Sequence, residues 1–439
     1  MSLYTITPAL WQSITHYATF PQTGVSLQQM ILFGEKHSQG TLLQAAQFLS
    51  EELPVRLAHR VKELEALPEG LSEMPSIVKV KNWYAQSFEE LINFPPPQLT
   101  PELRKLLSKP TSPFPSATVN PALSSFSWSP PHAHHSAHPG SHANGTTDPH
   151  KRRIPIERRL YSSPPENVTW PPSVIDYNRR FTKTLEVIKR RHDPTATTVA
   201  AGVLEWKKRK KWGGVVLHEE IGKWLDRFYL SRIGIRFLIG QHIALNTQPV
   251  TPDHVGIICK HANVHSIVSE AIENARFICE EHYGLFKGPV VELICDEELT
   301  FPYVPGHLNH ICFELLKNSL RATIERHGPS SPPPIKIIVS SGLEDITIKI
   351  SDEGGGIPRS AVPWIWTYMY TTMENQALDE DFGESDFRAP MAGFGYGLPL
   401  SRLYARYFGG DLQLISLEGY GTDVYIHLNK LSSSEEPLM

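Results

Sequence analysis

The stretch FELLKNSLRA, residues 313–322, sets polar side chains at regular intervals among apolar ones. At about 100° per residue in a helix, the polar side chains of this region fall within an arc of roughly 100°. They are His310, Glu314, Lys317, Asn318 and Arg321. Apolar residues fill the rest of the helix, so we expect it to be mostly buried and its polar stripe to line a cleft. The alternative is an ordinary surface stripe with a Glu314–Lys317 ion pair, worth only about 0.2–0.5 kcal/mol.

The stripe carries the chemical groups that phosphoryl transfer needs. A carboxylate such as that of Glu314 can accept a hydroxyl proton, and an amide oxygen such as that of Asn318 can complete a Mg²⁺ shell. Cationic groups, here Lys317 and Arg321, hold phosphate oxygens. His310 lies one turn before Glu314, where it can tune the basicity of the carboxylate or serve only as a helix-packing histidine.

A strand-like segment that ends in glycines follows, ITIKISDEGGGIP at residues 346–358. Asp352 closes the strand and can accept a hydrogen bond from an exocyclic amine. The three successive glycines after Glu353 let a backbone approach a planar ligand closely. Taken alone, the same pattern also fits a tight turn.

A second glycine-rich stretch, residues 391–412, reads MAGFGYGLPLSRLYARYFGGDL. Gly393, Gly395 and Gly397 precede a helical pattern that starts near Pro399. A glycine loop that leads into a helix amino terminus can bind phosphate, because unpaired N–H groups and the positive end of the helix dipole coincide there. The spacing matches neither a Rossmann loop nor a P-loop.

The segment between the two glycine clusters, residues 371–393, is polar, acidic and without hydrophobic periodicity. A loop of about 20 residues in a compact domain is uncommon unless it is functional, so we expect a mobile lid over a nucleotide. Further along, EGYGTDVYIHL at residues 418–428 places Thr422 at a hairpin turn.

Helical periodicity dominates the amino-terminal half of the chain. Residues 38–65, about 74–91, and two stretches between 173 and 245 make four long helices, enough for an up-and-down bundle. Pro54 is expected to end the first helix or to start the next. The basic run WKKRKKW, residues 206–212, is expected to be a solvated loop or a docking site for an acidic partner. After about residue 251, helices alternate with short strands, which indicates an α+β sandwich with helices on one face of a mixed sheet.

These patterns predict four parts of the chain. An amino-terminal segment (1–37) precedes a four-helix bundle (38–250), which contains a disordered Pro/Ser/His-rich insert at about 109–172. A nucleotide-binding domain (251–430) and a flexible tail (431–439) follow. The histidines of the insert are not expected to form a specific metal site.

Composition excludes several classes of protein. The 439 residues carry a formal charge of −4, so there is no overall basic field for non-specific nucleic-acid binding. The four cysteines form no CxxC pair and predict reduced thiols rather than a zinc site or a disulfide framework. No stretch is long and apolar enough to span a membrane. The first 34 residues contain no Lys, Arg, Asp or Glu, unlike a transit or secretory signal peptide.

The four polar and glycine motifs are individually weak, but their order is specific. ExxKNxxRA, DxGxG, GFGYGLP and GT follow one another like the boxes of the Bergerat-type (GHKL) ATP-binding fold. HICFELLKNSLRAT, SDEGGGIP and GFGYGLPLSRLYARYFGGDLQLISLEGYGTDVYIHL resemble the mitochondrial protein kinases of pyruvate dehydrogenase and branched-chain 2-oxoacid dehydrogenase. LLQAAQFLSEELPVRLAHRVKELEALP and WLDRFYLSRIGIRFLIGQH resemble the helical regulatory domain of that family. The resemblance implies a helical bundle followed by an α/β sandwich that binds ATP, an α plus α/β class.

The resemblance also implies roles for individual residues. Glu314 would be the general base towards a substrate serine, His310 would tune it, and Asn318 would bind Mg²⁺. The implied ATP-binding set is Lys317, Asn318, Arg321, Asp352, Gly354, Gly356, Thr371, Thr372, Gly393, Phe394, Gly395, Tyr396, Gly397, Leu398 and Thr422. His192, Arg232 and Arg236 match basic positions of a regulatory 2-oxoacid pocket. ATP and Mg²⁺ are the implied cofactors, with K⁺ as a further candidate.

The implied function is a serine protein kinase that inactivates the alpha subunit of a mitochondrial 2-oxoacid dehydrogenase, pyruvate dehydrogenase first and the branched-chain enzyme as the alternative. The implied partners are that subunit, the lipoyl domain of the acyltransferase core and a second kinase chain, identical or paralogous, in the mitochondrial matrix. The insert is not a general family feature, and the carboxyl-terminal Asp-Trp motif of animal pyruvate dehydrogenase kinases is absent.

Two other classes share the fold. A histidine kinase needs an acceptor histidine followed by an acidic residue and a proline, and His242 in FLIGQHIAL lacks both. An ATP-driven conformational machine would leave the amino-terminal bundle unexplained. A pseudokinase scaffold is disfavoured by the intact boxes.

Overall fold

Helices form the chain up to residue 247, and strands and helices alternate from residue 254 onward. The structure is a computed structural model that describes residues 4–107, 117–121, 169–210, 219–370 and 395–438. The predicted fold class, a helical amino-terminal part followed by an α/β sandwich, is confirmed.

The described amino-terminal part is built from helices. They are α1 (Pro8–Tyr17), α2 (Leu27–Gly34), α3 (Gln39–Glu65), α4 (Pro75–Ile92), α5 (Pro101–Leu107), α6 (Pro172–His192), α7 (Thr195–Arg209) and α8 (Glu219–Thr247), with a 3₁₀ turn at Pro68–Glu73. Ser26 and Gln29 form a capping box at the start of α2, and the Ser38 side chain accepts from the Thr41 amide at the start of α3. Helices α3, α4, α6 and α8 pack on one another and bury Leu53, Phe88, Phe181 and Phe228 completely.

Pro54 lies inside helix α3, so the prediction that it ends or starts a helix is wrong. A proline in a helix interior removes a hydrogen bond and costs about 3 kcal/mol. Leu53 and Leu57 on either side are fully buried, and α3 packs against α4 and α8 along its length. This burial offsets the local cost and keeps the helix continuous.

The basic run at 206–212 begins inside a helix, which corrects the prediction of a solvated loop. Helix α7 extends to Arg209, and Trp206 is buried with its indole N–H donating to the Glu69 carbonyl oxygen at 3.2 Å. The tryptophan anchors the helix in the core while the basic side chains that follow it stay on the surface. Arg209 pairs with Glu73 there, at 2.9 Å. Helix α7 is also a long helix that the predicted set of four did not include.

The carboxyl-terminal part is a five-stranded sheet covered on one face by helices. The strands lie in the order β3 (Val291–Ile294), β5 (Ile335–Ser341), β6 (Asp345–Asp352), β8 (Gly421–Asn429) and β7 (Asp411–Leu417). β3 and β5 are parallel, and the other neighbours are antiparallel. A second, small sheet contains β1 (His254–Val255), β2 (Ile258–Asn263) and β4 (Thr300–Tyr303).

Three helices cover one face of the five-stranded sheet. They are α9 (Val264–Tyr283), α10 (Pro305–His327) and α11 (Gly397–Tyr407). Helix α10 packs against α9, α11 and β6, so it lies at the centre of the layer. Strands β5 and β6 alternate buried isoleucines with more exposed residues, as expected for a sheet with one covered face. Ile337, Ile348 and Ile426 are fully buried beneath the helices.

The tail predicted to be flexible is packed across the described residues 431–438, so that prediction is wrong for this part. The Arg56 guanidinium donates to both carboxylate oxygens of Glu436, at 2.6 and 3.3 Å, and to Glu52 at 2.9 Å. All three side chains are buried. A polar segment is predicted to be solvent-exposed from its sequence alone, but charged side chains can be buried when they form ion pairs.

A short part of the predicted insert is ordered against this tail. The buried Asn120 side chain donates to the carbonyl oxygens of Tyr407 and Glu435, at 3.2 and 2.9 Å. Most of the remaining insert, including its histidines, lies outside the described residues. The four cysteines are free thiols, as predicted. No helix in the described ranges has the length and hydropathy to cross a membrane.

Candidate active site

A cavity of about 480 Å³ opens between helix α10, the end of strand β6 and the start of helix α11. Most residues of the predicted ATP-binding set line it, together with Glu314. These are Glu314, Lys317, Asn318, Arg321, Asp352, Gly354, Gly356, Gly395, Gly397, Leu398 and Thr422. The opposite side of α10 is buried in the core, where Ile311, Cys312, Leu316 and Leu320 are completely covered. The polar stripe therefore faces a cleft, and the surface-stripe alternative is wrong.

Glu314 and Lys317 form an ion pair at the cavity wall. Lys317 Nζ lies 2.9 Å from Glu314 Oε1, and the lysine side chain is only 2% exposed. Lys317 Nζ also lies 4.9 Å from the centre of the Phe313 ring. The Lys317 amino group is thus enclosed beside the carboxylate at the edge of the cavity. The pair predicted from the helical spacing is thus present but enclosed.

Gly397 lies directly against Glu314. A Cβ atom at Gly397 would lie 2.5 Å from Glu314 Oε2, closer than side chains tolerate. Gly397 is also the first residue of helix α11, so the amino terminus of that helix meets the carboxylate side of α10. The absence of a side chain at Gly397 therefore lets the helix start and the carboxylate lie this close together.

Asp352 is fixed by three donors from three different elements. The Ser319 hydroxyl donates to Oδ2 at 2.8 Å, while the amides of Gly354 and Thr422 donate to Oδ1 at 3.0 and 3.3 Å. Burial raises the pKa of Asp352, and these three hydrogen bonds oppose that rise. The carboxylate is therefore held in one orientation at the inner end of the cavity.

Thr422 stands opposite Asp352 because the two residues pair in the register of β6 and β8. Its hydroxyl lies 3.1 Å from the hydroxyl of Ser416, which accepts a hydrogen bond from the Ile357 amide at 2.7 Å. Gly354 packs on helix α10, where a Cβ atom would lie 2.5 Å from the Ala322 side chain. Gly354 thus permits close packing of the turn on α10, while Gly356 permits a close approach to the Leu417 carbonyl oxygen.

The sequence motifs did not identify two serines that hydrogen-bond to Asp352 and Thr422. Ser319 lies beside Asn318 on the apolar side of the predicted helix, and Ser416 is in strand β7. A small hydroxyl among buried aliphatic residues was the available signal for Ser319, because such a group needs a partner. Ser416 gave no comparable signal, since its partners depend on how β7, β8 and the glycine turn meet.

His310 packs on helix α11, with its ring centre 4.8 Å from that of Tyr404. It lies one turn before Glu314 on α10, as predicted, and its proposed effect on Glu314 stays a prediction. Tyr396 is mostly buried, and its ring points towards Tyr229 and Tyr368. Thr371, Thr372, Gly393, Phe394 and the predicted lid lie outside the described residues.

The predicted regulatory residues meet in the helical part, away from this cavity. His192 is buried, stacks on Tyr84 at 4.4 Å and lies 2.9 Å from the Ser87 hydroxyl. Burial lowers the pKa of His192 to about 3. Arg236 pairs with the Asp193 carboxylate at 2.6 Å, and Arg232 donates to the Asp193 carbonyl oxygen at 3.3 Å. The structure thus brings His192, Arg232 and Arg236 together around one helix end.

The fold and the cavity define an ATP-binding protein of the Bergerat class. Residues 303–432 match the family model described as histidine kinase-, DNA gyrase B-, and HSP90-like ATPase. This range contains α10, both glycine motifs and Thr422. Residues 24–259 match the family model described as mitochondrial branched-chain alpha-ketoacid dehydrogenase kinase.

Curated relatives match over nearly the whole chain. A mitochondrial pyruvate dehydrogenase (acetyl-transferring) kinase of Schizosaccharomyces pombe is 44% identical and covers 98% of each chain. The Arabidopsis thaliana kinase of the same name is 40% identical over 98% of this chain and 96% of its own. Isozyme 3 of the human mitochondrial pyruvate dehydrogenase (acetyl-transferring) kinase is 34% identical over 96% of this chain and 86% of its own. The chain belongs to the family of mitochondrial pyruvate dehydrogenase kinases.

Proposed function

We propose that the protein is an ATP-dependent serine kinase that phosphorylates and inactivates the alpha subunit of pyruvate dehydrogenase. The observation that carries the proposal is the position of Glu314. Its carboxylate lines the cavity beside Gly397, on the same helix as Asn318, while Asp352 is fixed at the inner end. A base, a metal ligand and an adenine acceptor therefore share one cavity.

Asp352 is proposed to bind the adenine amine. An ionised carboxylate offers about four acceptor positions, and Ser319, Gly354 and Thr422 occupy three of them. The remaining position is available to an exocyclic N–H donor. Because the other three bonds fix the carboxylate, this acceptor is preorganised for a planar base.

The phosphate end of the nucleotide is proposed to lie towards Asn318 and the start of helix α11. Asn318 would bind Mg²⁺ through its amide oxygen, and the metal would supply charge neutralisation for the phosphates. Lys317 and Arg321 supply positive charge, and the amino terminus of α11 supplies N–H groups. Gly393, Phe394, Thr371 and Thr372 are proposed to complete this end, and K⁺ is proposed as a further ion.

Glu314 is proposed to accept the proton of the substrate serine hydroxyl. A positioned general base contributes about 10²–10⁴-fold to such a transfer. Its ion pair with Lys317 holds the carboxylate in place, and the contact with Gly397 sets it beside the phosphate-binding helix start. His310 is proposed to tune this base from the preceding turn.

The substrate is proposed to be pyruvate dehydrogenase rather than the branched-chain enzyme. The full-length relatives described above are named pyruvate dehydrogenase kinases, whereas the branched-chain name comes from the model of the helical region. The same names support a mitochondrial location, and we propose the matrix. A histidine kinase is disfavoured because His242 is buried in the helical core, where no phosphoryl group would reach it.

We propose that the protein forms a dimer through the uncovered face of the sheet and docks on a lipoyl domain. Ile338, Ile415 and Leu417 are exposed on that face. His192, Arg232 and Arg236 are proposed to bind a 2-oxoacid. Sedimentation of Ile415→Asp beside the wild type tests the dimer, since a charge there should shift it to monomers. Pull-down with isolated lipoyl domain tests the docking.

Incubation with labelled ATP, Mg²⁺ and each purified dehydrogenase component tests the activity. We expect acid-stable phosphoserine on the pyruvate dehydrogenase alpha subunit, formed at a rate at least about 100-fold lower with Glu314→Gln. Label on the branched-chain component alone would reassign the substrate. Acid-labile label on the kinase itself would indicate a histidine kinase.

A further inference from the structure

Three tyrosines meet between the helical part and the nucleotide cavity. Tyr229 comes from helix α8, Tyr368 follows the 3₁₀ turn at Val362–Trp364, and Tyr396 precedes helix α11. Their ring centres lie 5.2 to 5.7 Å apart, and all three side chains are buried. Rings at these distances attract one another in addition to the apolar area that they bury.

The tyrosines form the inner side of two backbone segments whose outer side faces the cavity. Tyr370, two residues after Tyr368, lines the cavity, and so do Gly395 and Gly397, on either side of Tyr396. A Cβ atom at Gly395 would collide with the carbonyl oxygen of Tyr370, so the two segments touch. The rings therefore pack directly behind the two segments that border this part of the cavity.

A hydrogen bond ties Tyr368 of the cluster to helix α8. The Tyr368 hydroxyl donates to Oδ1 of Asp226 at 2.6 Å, a charge-assisted bond across 142 positions of sequence. Burial raises the pKa of Asp226, and the bond from Tyr368 and the positive charges of Arg406 and Arg402 oppose that rise. A further side-chain hydrogen bond joins Tyr229 and Tyr396 within the cluster, and the bond to Asp226 sets the orientation of the Tyr368 ring.

We propose that Tyr368 and Asp226 are positioning residues for nucleotide binding, acting through the two segments that carry Tyr370 and Gly395. Neither residue lines the cavity. Without the bond, the segments populate arrangements that do not match the nucleotide, and binding has to restore the matching one, which lowers affinity. The inference rests on the proposed function, because it takes the cavity to be the ATP site.

Calorimetry with MgADP on the full chain tests the proposal. Tyr368→Phe and Asp226→Ala are each expected to raise the Kd by about tenfold, equivalent to about 1.4 kcal/mol. The double variant should bind MgADP with the same Kd as either single variant, because each single substitution already removes the same bond. Asp226→Asn keeps a carbonyl acceptor and should bind close to the wild type. Tyr303→Phe is the matched control, since Tyr303 is equally buried and its hydroxyl has no partner among the described residues.

Kinetics separates positioning from a purely structural role. Tyr368→Phe should raise the KM for ATP about tenfold while kcat at saturating ATP changes less than about twofold. A lowered melting temperature with unchanged Kd would overturn the proposal, and so would additive effects in the double variant. Should Asp226→Ala fail to fold, Tyr368→Phe and Asp226→Asn still decide the question. Absence of nucleotide binding by the wild type would contradict the proposed function instead.

Discussion

The Ser319 hydroxyl donates a 2.8 Å hydrogen bond to Oδ2 of Asp352 and thereby ties helix α10 to the end of strand β6. Ser319 and Asn318 are neighbours on α10. The same helical turn therefore contacts the carboxylate at the inner end of the cavity through Ser319 and carries the proposed metal ligand, Asn318. The adenine and phosphate ends of the proposed site are consequently held at a fixed separation.

Asp352→Asn should weaken nucleotide binding with little change in stability. The amide oxygen can still accept from Gly354 and Thr422, and the Ser319 hydroxyl can rotate to accept from the amide nitrogen. That nitrogen, however, cannot accept from adenine. Loss of a hydrogen bond to a charged group, about 1.5–3 kcal/mol, corresponds to a Kd for ADP raised by about 10- to 100-fold. Calorimetry measures this, with Asp345→Asn at the other end of β6 as the control. Equal binding by Asp352→Asn and wild type would contradict the adenine role.

Gly397→Ala should impair turnover because the added methyl group would lie 2.5 Å from Glu314 Oε2. The carboxylate has to move, and a displaced base transfers protons poorly. We expect kcat to fall at least about tenfold in a steady-state kinase assay. Gly222→Ala in helix α8, where nothing lies within 4 Å of the added atom, should leave kcat unchanged. Wild-type turnover in Gly397→Ala would contradict the idea that the contact with Gly397 sets the position of the catalytic carboxylate.

Arg56→Met should destabilise the protein strongly, because it leaves the buried carboxylates of Glu52 and Glu436 without their cation. Removing one partner of a buried ion pair costs about 3–5 kcal/mol in the free energy of unfolding. Lys223→Met, which removes an exposed pair with Glu219, should cost less than about 1 kcal/mol. Denaturant titration measures the free energy of unfolding of both variants. Similar small losses would show that the packed tail adds little stability.

The buried His242 should make stability fall as the pH is lowered. Burial lowers its pKa from 6.5 to about 3, so between those values the unfolded chain binds a proton that the folded chain does not. Its contribution to stability is complete above pH 6.5 and is lost towards pH 3, by up to about 1.4 kcal/mol per pH unit. His242→Asn should reduce this slope in denaturant titrations at pH 5 and 7. An unchanged slope would mean that His242 titrates normally.

Local motifs predicted the cavity because its parts are set by short-range chemistry. The helical period placed Glu314, Lys317 and Asn318 on one face, and glycines marked the turn after Asp352 and the start of α11. Pro54 was misjudged because tertiary burial outweighs its local cost. Glu436 and the bond between Tyr368 and Asp226 could not be predicted, since their partners are distant in sequence and no periodicity connects them.

Phosphosite mapping on purified pyruvate dehydrogenase complex, after incubation with MgATP and the kinase, tests the proposed function most directly. We expect phosphorylation of serine on the alpha subunit, a parallel loss of dehydrogenase activity, and a rate at least about 100-fold lower with Glu314→Gln. Phosphorylation at the same rate by wild type and Glu314→Gln would contradict the proposed mechanism. If the wild-type protein binds nucleotide but no phosphoserine forms on the alpha subunit, the proposed function is contradicted.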